Sequence, residues 1–323
     1  ILPDRFAKVY EHWINNLRDW CISRQIWYGH RIPVWYKNDA LYCDEKAPEG
    51  DDWIQDEDTL DTWFSSGTWS FSTLGWPDET NDFKTYHPND LLETGRDIIF
   101  FWVARMILMS TCLLGEVPFK TVYLHGLALG KDGKKMSKSA GTALDPLEVT
   151  EKYGTDALRM ALIVGNAPGN DFKLYDEKVK AYKHFANKIW NASRFVLSNS
   201  GDVVIDEKLL TEKDLATLAT WRAVLKDITE DTEKYNLYLA GEKLYSYFWH
   251  TFADVLIEEA KPSFQSENVS DKQSVQILMN ILLSEQLRAL HPFMPFVTEA
   301  VWEIMHGDNK ENLLLIQSWP THS

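Results

Sequence analysis

A short segment of the chain, residues 133–141, combines the residue types that bind phosphate groups. It reads Gly133-Lys134-Lys135-Met136-Ser137-Lys138-Ser139-Ala140-Gly141. Glycines at both ends allow the backbone to change conformation. Three lysines and two hydroxyl groups supply the positive charge and the hydrogen-bond donors that suit a polyphosphate. The alternative is a solvated, lysine-rich turn without a ligand, and composition alone does not separate the two.

A second candidate is His125, which ends a strand-like run and precedes Gly126. A lone histidine is more often a satisfied structural residue than a catalytic one, so His125 alone predicts little. The common signatures of phosphate loops, dinucleotide-binding folds, zinc proteases and serine hydrolases are absent from the sequence. Those classes of enzyme are therefore excluded as sources of the chemistry.

Charge is distributed unevenly along the chain. Its 33 basic and 48 acidic residues give a net charge of −15. Neither half is a basic arm, although binding to a polyanion depends on local patches more than on totals. Residues 131–138 carry four lysines, whereas residues 51–82 carry nine acids and no lysine or arginine. The lysine-rich segment is therefore a local exception in an acidic protein.

The elements that must position these residues follow a mixed α/β pattern up to about residue 170. Residues 121–124 form a strand-like run, and residues 97–114 form an apolar, helix-like run interrupted by Arg105, so no membrane span is expected. After residue 171, apolar residues recur at spacings of three and four, which is one face of a helix. This repeat predicts a bundle of four or five helices.

Several longer segments then give a resemblance. The run Lys135-Met136-Ser137-Lys138-Ser139, followed by Gly141 and Leu144-Asp145-Pro146, is similar to the signature loop of the class I aminoacyl-tRNA synthetases. The segments 18–25, 58–66 and 93–107 resemble the catalytic domain of the valyl branch of that family. The resemblance extends from about Pro3 to Pro320, and its motifs occur in the family's order.

The resemblance implies a fold and a reaction. Residues 1–170 would be the second half of a Rossmann-type α/β catalytic domain, with the signature loop at 131–146, and residues 171–323 a helical anticodon-binding domain. The family uses ATP with Mg²⁺ to convert L-valine to an adenylate, then transfers it to tRNA(Val). Charge stabilisation and positioning supply most of the acceleration in such a phosphoryl-centre displacement.

The resemblance also implies roles for individual residues. Lys135 and Lys138 match the catalytic lysines that neutralise the leaving pyrophosphate. The ATP-binding positions are Gly95, Asp97, His125, Gly126, Ser137 and Ser139. The valine pocket is matched by Trp63, Ile98 and Trp102. Contacts with tRNA are expected from Arg24, Gln25, Arg31 and Arg194.

Three of these roles have structural alternatives. Asp97 could serve only as an acid at a helix N-terminus. Arg24, Gln25 and Arg31 could form an internal hydrogen-bond network, and Arg194 could be solvated or structural.

Further expectations concern what the sequence lacks. The chain opens with Ile1 rather than Met and contains no His-Ile-Gly-His motif, so we expect a piece of a longer protein that is inactive alone. The alternative is a tRNA-binding module without catalysis. Cys21, Cys43 and Cys112 are too scattered for a disulfide framework or a zinc site. A cytoplasmic monomer without zinc is expected.

Overall fold

The computed structural model describes residues 1–136, 144–201, 203–307 and 311–320. The chain divides into two compact units, Ile1–Gly126 and Leu127–Ser323. The first unit is mixed α/β, and the second is mainly helical. The two compact units meet at residues 126 and 127, whereas the sequence predicts a domain boundary near residue 170, where the long helices begin. That boundary stays a prediction.

The first unit contains short helices and strands in alternation. Its strands are β1 (Ser23–Arg24), β2 (Val34–Lys37), β3 (Ala40–Cys43), β4 (Ile54–Gln55), β5 (Thr59–Leu60), β6 (Asn89–Gly95) and β7 (Phe119–His125). Its α-helices are α1 (Arg5–Asn15), α2 (Thr62–Ser65), α3 (Trp69–Ser72), α4 (Asn81–Tyr86) and α5 (Arg105–Leu113). Two 3-10 turns, Ser66–Thr68 and Arg96–Ile98, and a π-helical segment, Ile99–Ala104, complete it.

Strands β6 and β7 are the parallel pair at the centre of this unit. They run in register from Asn89 beside Phe119 to Gly95 beside His125. Helix α5 lies between them in sequence, as a parallel crossover requires. On the other side of β7, the Leu2 N–H donates to the Val122 carbonyl at 2.7 Å. The first residues of the chain therefore extend this parallel sheet.

An apolar core lies against the sheet. It contains Leu92, Ile99, Val103, Met106, Phe119, Val122 and Leu124. Two smaller antiparallel groups, β3-β2-β4 and β1-β5, lie earlier in the chain. Segment 97–114, predicted to be helical, begins with a 3-10 turn and a π-helical segment before α5. This π geometry adds a residue to the turn, which is common at functional sites.

The second unit begins with the strand that leads into the lysine-rich segment at residues 131–138. Strand β8 (Ala128–Leu129) pairs in parallel with β9 (Phe172–Lys173), and helices α6 (Pro146–Tyr153) and α7 (Thr155–Ile163) lie between them in sequence. The Asp145 side chain accepts from the Leu147 N–H at 2.8 Å, and Pro146 follows it as the first helical residue. Both are typical signals of a helix start.

The rest of the second unit is a helical bundle. Its helices are α8 (Asp176–Ser200), α9 (Glu212–Glu233), α10 (Leu237–Ser246), α11 (Ile257–Phe264), α12 (Val269–Leu290) and α13 (Pro295–His306). A π-helical segment, Tyr247–Leu256, joins α10 to α11 without a break, so the described part has five continuous helices.

The bundle core contains the apolar positions that recur in the sequence. Phe185, Ile189, Trp221, Leu225 and Phe252 are among its fully buried side chains. The breaks are less regular than the pattern indicates. Helix α12 ends at Leu290 and α13 begins at Pro295, but helix α11 continues past Pro262 to Phe264.

In the part of the chain that the structure describes, no helix is long and apolar enough to cross a membrane.

Candidate nucleotide, amino-acid and tRNA sites

The carboxyl ends of β6 and β7 bring two predicted residues together. Gly95 and His125 are direct partners at the last position of the parallel register. Ligands of open α/β sheets bind outside the carboxyl ends of the strands. This end of the sheet is therefore where a nucleotide site is expected, and Gly126 follows directly as a buried residue.

Gly95 allows a close approach of the Asp97 carboxylate to the end of β6. A Cβ atom at this position would lie 2.6 Å from Asp97 Oδ1 and 3.7 Å from His125 Cε1. Any other residue would push the carboxylate away. Asp97 is exposed in the turn that follows β6, and its carboxylate lies back over the strand end. The arrangement presents an acceptor for hydroxyl groups of a ligand.

The His125 ring has a defined proton arrangement. Its Nδ1 lies 2.7 Å from the carbonyl oxygen of Gly126. A carbonyl only accepts hydrogen bonds, so Nδ1 carries a proton. Nε2 lies 3.5 Å from Glu93 Oε1 on the neighbouring strand, and the His125 side chain is 45% exposed. Nε2 is thus the atom left to face a ligand.

The three predicted amino-acid-pocket residues are half-buried. Ile98 ends the 3-10 turn after Asp97, and Trp102 lies in the π-helical segment. Trp102 packs on Trp69 with ring centroids 5.7 Å apart. Trp63 is the second residue of α2 and packs on Phe101 with ring centroids 5.6 Å apart. The structure therefore places Ile98 and Trp102 in one segment and joins Trp63 to it through Phe101.

Arg24, Gln25 and Arg31 all form hydrogen bonds within the first unit. Arg24 donates to the carbonyls of Cys21 and Ser23, each at 2.7 Å, and pairs with Asp61. Gln25 donates to Asp58 at 2.5 Å. Arg31 donates to the carbonyl of Asp56 at 2.7 Å. These hydrogen bonds give each of the three side chains partners within the protein. Their contact with tRNA stays a prediction.

The lysine-rich segment begins as a small hairpin. Leu129 on β8 forms an antiparallel bridge with Lys135, and the Gly130 N–H donates to the Lys134 carbonyl at 2.9 Å. Lys131 pairs with Glu177 at 2.6 Å. Lys135 is exposed at the end of this hairpin. Of the other predicted residues of the loop, Ser137, Lys138 and Ser139 lie outside the described residues.

Arg194 lies on the exposed side of α8. No acid occurs between Lys178 and Gly201 in the sequence. Beyond Glu177, the exposed positions along this helix include Lys180, Lys183, His184, Asn187, Trp190, Asn191 and Arg194. Trp190 is 40% exposed, and together with Arg194 it lines a cavity of about 320 Å³. An arginine and an exposed indole, one turn apart, suit phosphate pairing and base stacking.

Comparison with known protein families gives the decisive observation. The family model described as tRNA synthetases class I (I, L, M and V) matches residues 1–49 and 41–175. The chain belongs to the class I aminoacyl-tRNA synthetases. A second model of this group, the anticodon-binding domain of tRNA ligase, matches residues 214–323. The predicted helical anticodon-binding domain of this synthetase chain is thus confirmed.

Curated relatives confirm the resemblance to the valyl branch of the class I synthetases. Valine–tRNA ligase of Clostridium tetani is 48% identical over 99% of this chain. The Bacillus subtilis ligase is 46% identical over 99%. The chain spans 37% of the length of each of these relatives.

Solved structures confirm the class I synthetase fold. An Agrobacterium radiobacter K84 leucyl enzyme in a ternary complex with tRNA has a TM-score of 0.75 at 21% identity, covering 94% of this chain and 42% of that one. Mycobacterium tuberculosis methionyl-tRNA synthetase with methionyl-adenylate has a TM-score of 0.74 at 22% identity, covering 96% and 58%. At these identities the similarity concerns the fold alone.

One residue of this synthetase fold was missed by the sequence analysis. Arg105 is only 8% exposed, in contact with Trp20. Its signal in the sequence was a single charge inside the apolar run 98–114, which indicated only that no membrane span is expected.

Proposed function

We propose that the chain is the part of a valine–tRNA ligase that carries the signature lysine loop and the anticodon-binding helices. In this reaction the carboxylate of valine attacks the α-phosphorus of ATP, valyl-adenylate forms, and pyrophosphate leaves. The 2′-hydroxyl of the terminal adenosine of tRNA(Val) then attacks the valyl carbonyl, the ester forms, and AMP leaves. The observation that carries the proposal is the 48% identity to a valine–tRNA ligase over 99% of the chain.

In the first unit, the strand ends would hold the adenosine. Asp97 would accept hydrogen bonds from the ribose hydroxyls, and Gly95 allows the ribose and the carboxylate to come close. His125 and Gly126 would border the adenosine on the adjacent strand. The direct pairing of Gly95 with His125 supports these assignments.

In the second unit, lysines would stabilise the departing pyrophosphate. Lys135 and Lys138 would neutralise the charge that develops on the β- and γ-phosphates, with Ser137 and Ser139 as donors. Charge stabilisation of this kind acts mainly on the rate. Among the described residues no group of three or more His, Cys, Asp or Glu could hold a metal ion. We propose that Mg²⁺ enters with ATP as part of the substrate.

The amino-acid pocket would discriminate by size. Trp63, Ile98 and Trp102 would enclose a branched aliphatic side chain. One methylene group is worth about 1–3 kcal/mol in such a pocket, and an isosteric hydroxyl is rejected poorly. Threonine would therefore be activated as well, and a valine enzyme needs a separate editing step.

The helical bundle would bind tRNA(Val), with Arg194 as one contact. Its support is the absence of acids from residues 178–200 of α8 in a chain of net charge −15. Arg194→Ala should weaken tRNA binding and lower its salt dependence. Lys226→Ala, the same charge change on an exposed position of α9, is the matched control. Equal losses for both variants in a filter-binding assay would contradict the role of Arg194.

A second candidate function is tRNA binding without catalysis. It is favoured by the absence of a His-Ile-Gly-His motif from residues 1–323. We propose accordingly that residues 1–323 alone do not activate valine. We also propose that the protein acts as a cytoplasmic monomer.

The test is ATP–pyrophosphate exchange with valine, isoleucine and threonine. Two samples are compared: residues 1–323 alone, and the same residues fused behind the N-terminal portion of the Clostridium tetani ligase that precedes the matched region. We expect valine-dependent exchange from the fusion only. Exchange by neither sample, with tRNA binding retained, would favour the second candidate. A preference for isoleucine would refute the valine assignment.

A further inference from the structure

The arginine at the start of α5 is buried among aromatic rings. Its guanidinium carbon lies 3.5 Å from the centroid of the Trp20 ring, 5.2 Å from that of Phe100 and 5.5 Å from that of Phe101. Its hydrogen bond is a long one, from Nη1 to the Phe101 carbonyl at 3.3 Å. Within the described ranges, no carboxylate forms an ion pair with it. A charge that is buried without a carboxylate partner lowers the free energy of unfolding.

The nearby acid, Asp61, is also buried, with 7% of its surface exposed. Its Oδ1 accepts a hydrogen bond from the Trp63 N–H at 2.7 Å, which caps the N-terminus of α2. Its other oxygen pairs with Arg24. Asp61 therefore fixes the backbone from which the Trp63 side chain projects. Burial lowers the pKa of Arg105, and the charge of Asp61 opposes that shift.

The two residues hold opposite sides of one aromatic contact. Trp63 packs on Phe101 with ring centroids 5.6 Å apart and ring planes at 34°. Asp61 holds the Trp63 backbone, and Arg105 holds the Phe101 backbone. The two segments also approach closely at Gly67, where a Cβ would lie 3.0 Å from Met109 Cγ.

We propose that Asp61 and Arg105 are positioning residues that set the separation between Trp63 and the Ile98–Trp102 segment, and thereby the size of the amino acid accepted. The inference rests on the proposed function, because these residues are the proposed walls of the valine pocket. Discrimination between amino acids that differ by one methylene is about 10- to 200-fold. A displacement of one wall by a fraction of an ångström is enough to erode such a ratio.

The test uses the fusion protein described above and measures exchange with valine and isoleucine. Arg105→Met keeps much of the side-chain bulk and removes the charge, and Asp61→Asn keeps an oxygen that can cap α2. We expect the KM for valine to rise about tenfold and the valine-to-isoleucine ratio of kcat/KM to fall about tenfold. The KM for ATP should not change. A general structural defect would instead lower kcat for both amino acids equally.

The matched control is Arg18→Met. Arg18 is exposed and lines the same cavity of about 440 Å³ as Arg105 and Trp20. Arg18→Met removes the same charge and leaves the hydrogen bond to the Phe101 carbonyl in place. The valine-to-isoleucine ratio of kcat/KM should therefore stay at the wild-type value. A change in Arg18→Met as large as that in Arg105→Met would overturn the inference.

A second measurement covers variants that lose activity altogether. Residues 1–323 are labelled with 5-fluorotryptophan, and the Trp63 resonance is assigned with Trp63→Phe. Asp61→Asn and Arg105→Met should shift the Trp63 resonance while leaving that of Trp221, which is buried in the helical bundle, in place. An unmoved Trp63 resonance would refute the positioning role. A wild-type fusion without valine-dependent exchange would refute the proposed function instead.

Discussion

Substitution of Gly95 by alanine gives the sharpest test of the nucleotide site. The Gly95 backbone, at φ −66° and ψ 137°, is open to any residue, so the change introduces no backbone strain. The new Cβ would lie 2.6 Å from Asp97 Oδ1, whereas ordinary contact begins at 3.4 Å. The carboxylate must therefore retreat by roughly 0.8 Å. A misplacement of about 1 Å costs up to about 100-fold in rate, or about 2.7 kcal/mol.

The assay is ATP–pyrophosphate exchange by the fusion protein at varied ATP and varied valine. Gly95→Ala should lower kcat/KM for ATP by about ten- to a hundredfold, mainly by raising the KM for ATP, and should leave the KM for valine nearly unchanged. The thermal unfolding midpoint should not fall, since Gly to Ala in an allowed conformation removes entropy from the unfolded chain.

A double-mutant cycle tests the stated cause. If the alanine acts by displacing the carboxylate, Gly95→Ala should have almost no further effect once Asp97→Ala is present. The reasoning is refuted if the two losses add in full. It is also refuted if the KM for valine rises and the KM for ATP does not.

Three further predictions concern the second unit. Lys135→Ala and Lys138→Ala should each lower kcat in pyrophosphate exchange with little change in the KM for valine; a change in KM alone would contradict a role in charge stabilisation. Asp156, buried, accepts from the Phe296 and Val297 N–H groups at 3.1 and 2.7 Å. Asp156→Ala should therefore cost about 1–3 kcal/mol in urea unfolding, and a smaller loss would show that water replaces the carboxylate. Burial, with nearby Tyr245, raises the pKa of Tyr182 from 10.0 to about 12. The folded state thus retains this proton longer, and its contribution to stability should be lost as pH rises from 10 to 12, an effect that Tyr182→Phe should abolish in pH-dependent unfolding.

Much of the fold could be predicted because its signals are local. The predicted strand at residues 121–124 lies within β7, and the spacing of apolar residues predicted the helices of the bundle. The pairing of Gly95 with His125 could be expected only from the family resemblance, since it joins residues far apart in sequence. The π-helical segment Ile99–Ala104 had no signal, because its apolar residues fit an α-helix equally well.

The candidate site was predicted less completely than the fold. Sequence motifs identify side chains by type, but they do not show which side chains already have partners within the protein. Arg24 and Arg31 were predicted either to contact tRNA or to form a hydrogen-bond network within the protein. The structure shows each of them bonded to backbone carbonyls, and their contact with tRNA stays a prediction. Arg105 was overlooked for the same reason, since its partner Trp20 is remote in sequence.

The length of α8 has a consequence for how the family can vary. At 1.5 Å per residue its 25 residues span about 37 Å. The first turn of α8 contacts the lysine hairpin through the Lys131–Glu177 ion pair, and Arg194 lies near the other end. One inserted residue would turn everything after it by about 100° and carry Arg194 from the surface toward the core. The length of α8 therefore fixes which of its residues face solvent. Relatives should differ between Asp176 and Ser200 by substitution, and not by a single insertion or deletion.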